Sequence, residues 1–174
     1  MSALVDIALF NGDIAVGQKG GVEVQKALQW YIDEYTPVFL SKVLAAPAQE
    51  AFEAGLAADE PDAVALAATL RPACARYIWV QYTLGRSSFS AGNGEVYLLG
   101  ENSERADYSP KVARNWNRMA DILREKAALI RAYRLEHSGG EAGPAAYLAP
   151  GFYCGGSRRR GEFGGLDEYT SALI

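Results

Sequence analysis

Residues 70–116 read LRPACARYIWVQYTLGRSSFSAGNGEVYLLGENSERADYSPKVARNW, and this stretch decides the fold. It opens with an aromatic segment in which Cys74, Ile78 and Tyr82 recur every four residues, the spacing of a buried helical stripe. It closes at Ser109-Pro110, where serine can cap a helix and proline fits the first turn. The segment between has a glycine-rich turn composition, which predicts a β-hairpin or extended loop over 86–100.

Upstream of this stretch, prolines are expected to divide the helices, because proline lacks the N–H that a helix interior uses. Apolar residues at helical spacing predict a helix over about 22–35, and Pro37 is expected to end it. Pro47 is expected to interrupt the helix that follows. The alanine-rich segment 62–70 predicts a short helix, and Pro72 is expected to begin the aromatic one.

Downstream, one long helix is predicted from Ser109 to about Glu136. Apolar residues repeat through it at intervals of three or four: Val112, Trp116, Met119, Leu123, Ala127 and Ile130.

These elements predict a mainly α protein, a bundle of about four helices with a β-hairpin insertion and a long extended C-terminal tail. The predicted divisions are an N-terminal arm over 1–21, a helical domain over 22–137 that carries the insertion, and the tail over 138–174. The first twenty residues are expected to form a short strand or an irregular arm, followed by a loop. A chain of 174 residues, 49% of them hydrophobic, can bury one core.

The tail is rich in glycine yet keeps aromatic and basic side chains, which predicts that it becomes ordered by binding a partner. The predicted partner-binding residues are Phe152, Tyr153, Arg158, Arg159, Arg160, Phe163 and Tyr169. Two interpretations of the three arginines stay open. They form a mobile, solubilising segment, or they clamp an acidic protein groove or phosphates.

Charge is distributed unevenly along a chain whose net charge is −4. Residues 109–136 carry seven basic and three acidic side chains. This face is either simply solvated or an electrostatic surface for an acidic partner ring or for passing DNA.

The residues that carry enzyme chemistry are sparse, and neither an enzyme, a cofactor nor a metal is predicted. The single histidine, His137, falls at the end of the last helix, where a cation suits the helix dipole. Cys74 and Cys154 have no second ligand at metal-binding spacing. Segment 12–20 is not a phosphate loop, because Gln18 stands at the lysine position and Lys19 at the Ser/Thr position. No apolar run reaches bilayer length and no secretory signal is evident, so synthesis in a cytoplasm without membrane association is expected.

Several motifs in order carry a resemblance over roughly residues 22–125. They are Tyr31-Ile32, the segment EYTPVFL at 34–40, the aromatic helix 77–82, GNGEV at 92–96, and ENSE at 101–104 followed by Ser109 to Asn117. This set resembles the head-tail connector (adaptor, or head-completion) proteins of tailed phages and prophages of Bacteroidetes hosts. The chain departs from the family pattern after Leu44, where a glycine and an aromatic residue are expected and Ala45-Ala46-Pro47 stands instead.

The resemblance implies a structural virion protein at the neck, made in the host cytoplasm. It implies a homo-oligomeric ring, a dodecamer, that binds the portal protein and a downstream tail or neck protein. DNA would pass through its channel without sequence-specific binding. The alternatives are a tail-completion or stopper ring and, from a different class, a small helical enzyme or a regulatory binding module.

The hairpin is the predicted inter-subunit element. A two-stranded unit is marginal in water, so it is expected to lean on a neighbouring subunit or on the helical core of its own chain. The residues predicted for this contact are Phe89, Asn93, Glu95 and Tyr97.

Overall fold

The computed structural model describes residues 4–16, 21–85, 89–91, 94–96 and 109–137. In these ranges the protein is mainly α, as predicted, with five packed α-helices rather than about four. They are α1 Gly21–Leu44, α2 Ala46–Ala57, α3 Pro61–Gly85, α4 Ser109–Glu125 and α5 Ala127–His137. None of the helices in the described ranges is long and apolar enough to cross a bilayer.

Two predicted helix boundaries at prolines are wrong, because α1 runs through Pro37 and α3 runs through Pro72. Both prolines are exposed, and so are Asp33 and Ala68, whose carbonyls would have accepted the missing N–H bonds. A carbonyl on the solvent side can bond to water instead, so the loss is tolerated. Near Pro37 the Thr36 hydroxyl also donates to the Ile32 carbonyl at 2.6 Å.

The predicted interruption near Pro47 is confirmed, but the break itself lies at Ala45. Ala45 has φ 65° and ψ 160°, and Pro47 sits in the first turn of α2. Backbone of this kind is essentially restricted to glycine, because a Cβ atom strains it.

Substituting Ala45 with glycine is therefore expected to raise the free energy of unfolding by about 1 kcal/mol, the relieved strain less the entropy of a glycine. The matched control is Ala54, which is exposed within α2. Ala54→Gly should lower the free energy of unfolding by about 1 kcal/mol. Urea denaturation of both variants measures the difference. Destabilisation of similar size in both would contradict the strained backbone at Ala45.

The long helix predicted over 109–136 is divided at Lys126 into α4 and α5. Helical hydrogen bonds still run across the division, from the Lys126 N–H to Ile122 and from the Ile130 N–H to Lys126. The bend redirects the apolar stripe, since α4 packs on α3 whereas α5 packs on α2. The periodicity of the stripe continues through the bend, so the sequence pattern does not reveal it.

The aromatic helix α3 lies at the centre of the bundle, with α1, α2 and α4 packed around it. Cys74 and Ile78 are fully buried, as predicted, and Tyr77 and Trp79 are buried beside them, whereas Tyr82 of the predicted stripe is only half-buried. From the long-helix stripe, Val112, Met119, Leu123 and Ile130 are buried, and Trp116 is half-buried.

Residues 4–16, predicted as a short strand or an irregular arm, contain two 3-10 helices, Ile7–Leu9 and Gly12–Ile14, and no strand. Leu4, Val5, Phe10 and Ile14 join the core of the bundle. The Arg71 side chain on α3 holds this segment, since its Nε donates to the Leu4 carbonyl at 3.2 Å.

Two three-residue strands lie within the range predicted for the hairpin, β1 Phe89–Ala91 and β2 Gly94–Val96. They pair antiparallel, with Phe89 opposite Val96 and Ala91 opposite Gly94. The rest of 86–100 and the whole predicted tail lie outside the described residues.

Candidate functional site

A group of aromatic rings, one exposed and three half-buried, lies where α1 passes the end of α3. We call it the aromatic ledge: Trp30, Tyr31, Tyr35 and Tyr82. Trp30 is 56% exposed, an unusual position for the largest apolar side chain. Its ring meets Tyr31 edge-on at 4.9 Å between centroids, and Tyr31 stacks on Tyr35 at 5.6 Å.

The inner side of the ledge packs against the core. Tyr31 contacts the Tyr82 ring on α3 edge-on at 5.4 Å, and its hydroxyl lies where a Cβ atom on Gly85 would be. Glycine at 85 therefore permits the close approach of the two helices. From Tyr35 the rings continue inward to Tyr77 and on to Trp116, at 6.3 and 6.4 Å. Burial, with smaller effects of Tyr35 and Cys74, raises the pKa of Tyr77 to about 12, so this phenol is neutral at physiological pH.

Two carboxylates border the ledge on the exposed side of α1. Asp33 and Glu34 follow Trp30 by three and four residues, so they flank its ring on the helix surface. The Gln29 amide donates to Asp33 Oδ1 at 2.8 Å, which orients that carboxylate. Among the described residues, no basic side chain lies within ion-pair distance of either acid.

A second surface, which we call the basic face, lies on α4 and comprises Lys111, Arg114 and Arg118. Their spacing of three and four residues places them on one side of the helix. Arg114 and Arg118 are exposed, and the Lys111 ammonium lies over the Trp79 ring, 4.9 Å from its centroid. The cation–π contact fixes Lys111 against the core, while the two arginines remain accessible.

Behind the basic face, a buried polar contact joins α3 to α4. Arg76 Nη1 donates to Asn115 Oδ1 at 2.6 Å, and Asn115, only 1% exposed, donates through Nδ2 to the Lys111 carbonyl at 3.0 Å. Burial lowers the pKa of Arg76, the neighbouring Arg118 lowers it further, and Asp13 partly offsets both. Arg76 thus adds a fixed positive charge beneath Arg118.

The ledge and the basic face lie on different helices packed against α3. Cys74 and Gly85 of α3 point toward α1, where Thr36 and Tyr31 meet them. Arg76 and Trp79 point toward α4. At 100° per residue, Cys74 and Arg76 are about 160° apart around the helix axis, whereas Trp79 and Tyr82 are about 60° apart. The two surfaces are distinct, and among the described residues no ion pair joins them.

The side chains considered for chemistry are spread through the bundle. The Cys74 thiol is fully buried, and burial raises its pKa despite a hydrogen bond with Thr36, so it is a poor nucleophile. His137 ends α5 and packs its ring on Tyr133 at 4.2 Å between centroids. No group of three or more potential metal ligands occurs in the described ranges.

A cavity of about 620 Å³ lies between the 3-10 segment and α1. Its lining is apolar apart from two amide side chains and carries no titratable group: Ile7, Ala8, Phe10, Asn11, Val16, Val24, Gln25 and Leu28. It could hold an apolar group but supplies no acid or base for catalysis.

The sequence-predicted site residues fall largely outside these surfaces. Of the inter-subunit set, the backbones of Phe89 and Glu95 belong to β1 and β2, whereas Asn93 and Tyr97 lie outside the described residues. All seven predicted partner-binding residues of the tail also lie outside them. The structure therefore does not test either set.

Sequence reasoning did not single out Trp30 or the Arg76–Asn115 contact. The signal for Trp30 is its position between exposed charged residues of α1. The signal for the contact is an asparagine inside the apolar stripe of α4, which needs a polar partner once buried.

Comparison of the chain with known protein families, curated proteins and solved structures finds no match.

Proposed function

We propose that this protein is a structural component of a phage virion, a ring-forming connector between the portal and the tail. In this function it carries out no chemistry. Its role is geometric, because neighbouring subunits close a ring that extends the channel for DNA.

The best support for this proposal is that motifs distant in sequence, which carry the resemblance to the connector family, meet in the aromatic ledge. Tyr31, Tyr35 and Tyr82 come from three of them, separated by up to about fifty residues of sequence, yet their half-buried rings form one cluster beside the exposed Trp30. Solvent-exposed aromatic surfaces of this kind mark interaction sites. Trp116, from a fourth motif, supports the surface from within through Tyr77.

The backbone at Ala45 gives further support. The connector family is expected to have a glycine and an aromatic residue after Leu44, and the positive φ of Ala45 is a conformation that favours glycine. A glycine in this segment would fit the backbone conformation at Ala45.

In this proposal, the hairpin at 86–100 contacts the neighbouring subunit through Phe89, Asn93, Glu95 and Tyr97. The extended tail docks on the portal, with Arg158, Arg159 and Arg160 facing acidic groups and Phe152, Tyr153, Phe163 and Tyr169 in apolar pockets.

Electron microscopy and native mass spectrometry of the purified chain test the proposal. We expect closed rings, and we expect Trp30→Ala to reduce the ring fraction while leaving the melting temperature unchanged, because Trp30 contributes more to the surface than to the core. Leu129, 45% exposed on α5, is the matched control, and Leu129→Ala should leave the rings intact. A chain that remains monomeric at every concentration would contradict a ring-forming connector.

A further inference from the structure

We infer that the aromatic ledge, with Asp33 and Glu34, receives the basic face of a second copy of this chain. The inference rests on the proposed ring and names the two surfaces that meet in it.

The first step is the chemistry of the ledge. Residues 23–34 contain three acidic side chains and one basic one, so the surface around Trp30 is net negative. Lys26, one turn before Trp30, pairs with Glu23 at 3.6 Å, whereas Asp33 and Glu34, one turn after it, have no described cation at ion-pair distance. An exposed aromatic ring with two carboxylates one turn away suits a guanidinium group, because arginine stacks on aromatic faces and forms paired hydrogen bonds with carboxylates.

The second step is the chemistry of α4. Residues 109–118 contain three basic side chains and no acidic one. Arg114 and Arg118 are exposed and, within the described ranges, have no carboxylate at ion-pair distance. Arg76 beneath them strengthens the positive field. This face supplies the two guanidinium groups that the ledge is suited to bind.

The third step is geometry. The two faces lie on different helices, α1 and α4, and within the described residues no ion pair joins Asp33 or Glu34 to the arginines of the same chain. A contact between different surfaces of identical chains is heterologous, and repeating it generates a ring when the rotation closes. A second copy is therefore the occupant that the charges and their placement favour.

Two charge-reversed variants test the contact. D33K/E34K makes the ledge positive, and R114E/R118E makes the basic face negative. In sedimentation velocity at low salt, each variant alone should associate on the order of a hundredfold more weakly than the wild type, because like charges then face each other. An equimolar mixture of the two should recover association, since every contact then pairs opposite charges.

Matched controls carry the same changes elsewhere. E50K/E53K reverses two exposed acids on α2, where Gln49 donates to Glu53 at 2.8 Å just as Gln29 does to Asp33. K126E/R131E reverses two exposed cations beyond the basic face. Both controls should associate like the wild type. The neutral variants D33N/E34Q and R114Q/R118Q remove the charges without reversing them. Circular dichroism melts of these variants show whether a loss of association comes from the lost contact or from unfolding.

The outcomes distinguish this contact from the connector itself. Rings that persist in both charge-reversed variants, or a mixture that fails to recover association, overturn the contact and leave the connector proposal standing. If the wild type forms open pairs or filaments that dissociate in each charge-reversed variant and re-form in the mixture, the contact is supported and the ring is contradicted. A wild type that stays monomeric overturns both.

Discussion

Replacing Phe52 with alanine is expected to lower the free energy of unfolding by about 3–5 kcal/mol. Phe52 is fully buried and meets the Tyr133 ring edge-on at 6.2 Å between centroids, which joins α2 to α5. Removing it takes away apolar contact area and leaves a cavity that neighbouring side chains fill only in part. Urea denaturation followed by circular dichroism measures the change.

The control for this change is Phe52→Leu, which keeps most of the volume and should cost less than half as much. If alanine cost under about 1 kcal/mol, the α2–α5 contact would not be part of the stable core. The site lies away from the ledge and the basic face, so the variant should still associate at temperatures where it is folded.

The second large effect is expected at the polar contact between α3 and α4. Asn115→Leu removes the acceptor of the 2.6 Å hydrogen bond from Arg76 and leaves a partly buried charge without it. Hydrogen bonds to charged groups contribute about 1.5–3 kcal/mol, and we expect a loss in that range. The same buried surroundings that lower the pKa of Arg76 make the uncompensated charge costly.

A double-mutant cycle isolates this coupling. Arg76→Met alone should also destabilise, whereas the R76M/N115L variant should lose clearly less than the sum, because neither polar group is then left unpaired. Strict additivity of the two changes would show that the hydrogen bond contributes nothing to stability.

Helical periodicity predicted most of the core because it depends only on the spacing of apolar residues. The stripes at Cys74 and Ile78, and at Val112, Met119 and Leu123, are buried as predicted. The expectation that proline ends a helix was less informative, since it describes an isolated helix. It does not include the core packing of the helical residues before and after Pro37 and Pro72, which keeps α1 and α3 continuous.

The candidate surfaces were harder to predict, because they depend on which residues meet. Tyr31 and Tyr82 are distant in sequence, and only the packing of α1 on α3 brings their rings together. Likewise, Arg76 and Asn115 are 39 residues apart, and although an asparagine in an apolar stripe calls for a polar partner, the sequence does not show which residue that partner is. The charged neighbours of Trp30 place it on the outer side of α1, but only the structure shows that its ring is 56% exposed.

The hydrogen bond from Arg71 to the Leu4 carbonyl has a consequence for the order of folding during synthesis. Its partners are 67 residues apart, so residues 4–14 leave the ribosome well before the helix that holds them exists. Leu4, Val5, Phe10 and Ile14 therefore cannot take their final packing until α3 has been translated. During that interval α1 is the neighbour already present for this segment, and the part of its apolar surface that α3 later covers is open to chaperone binding.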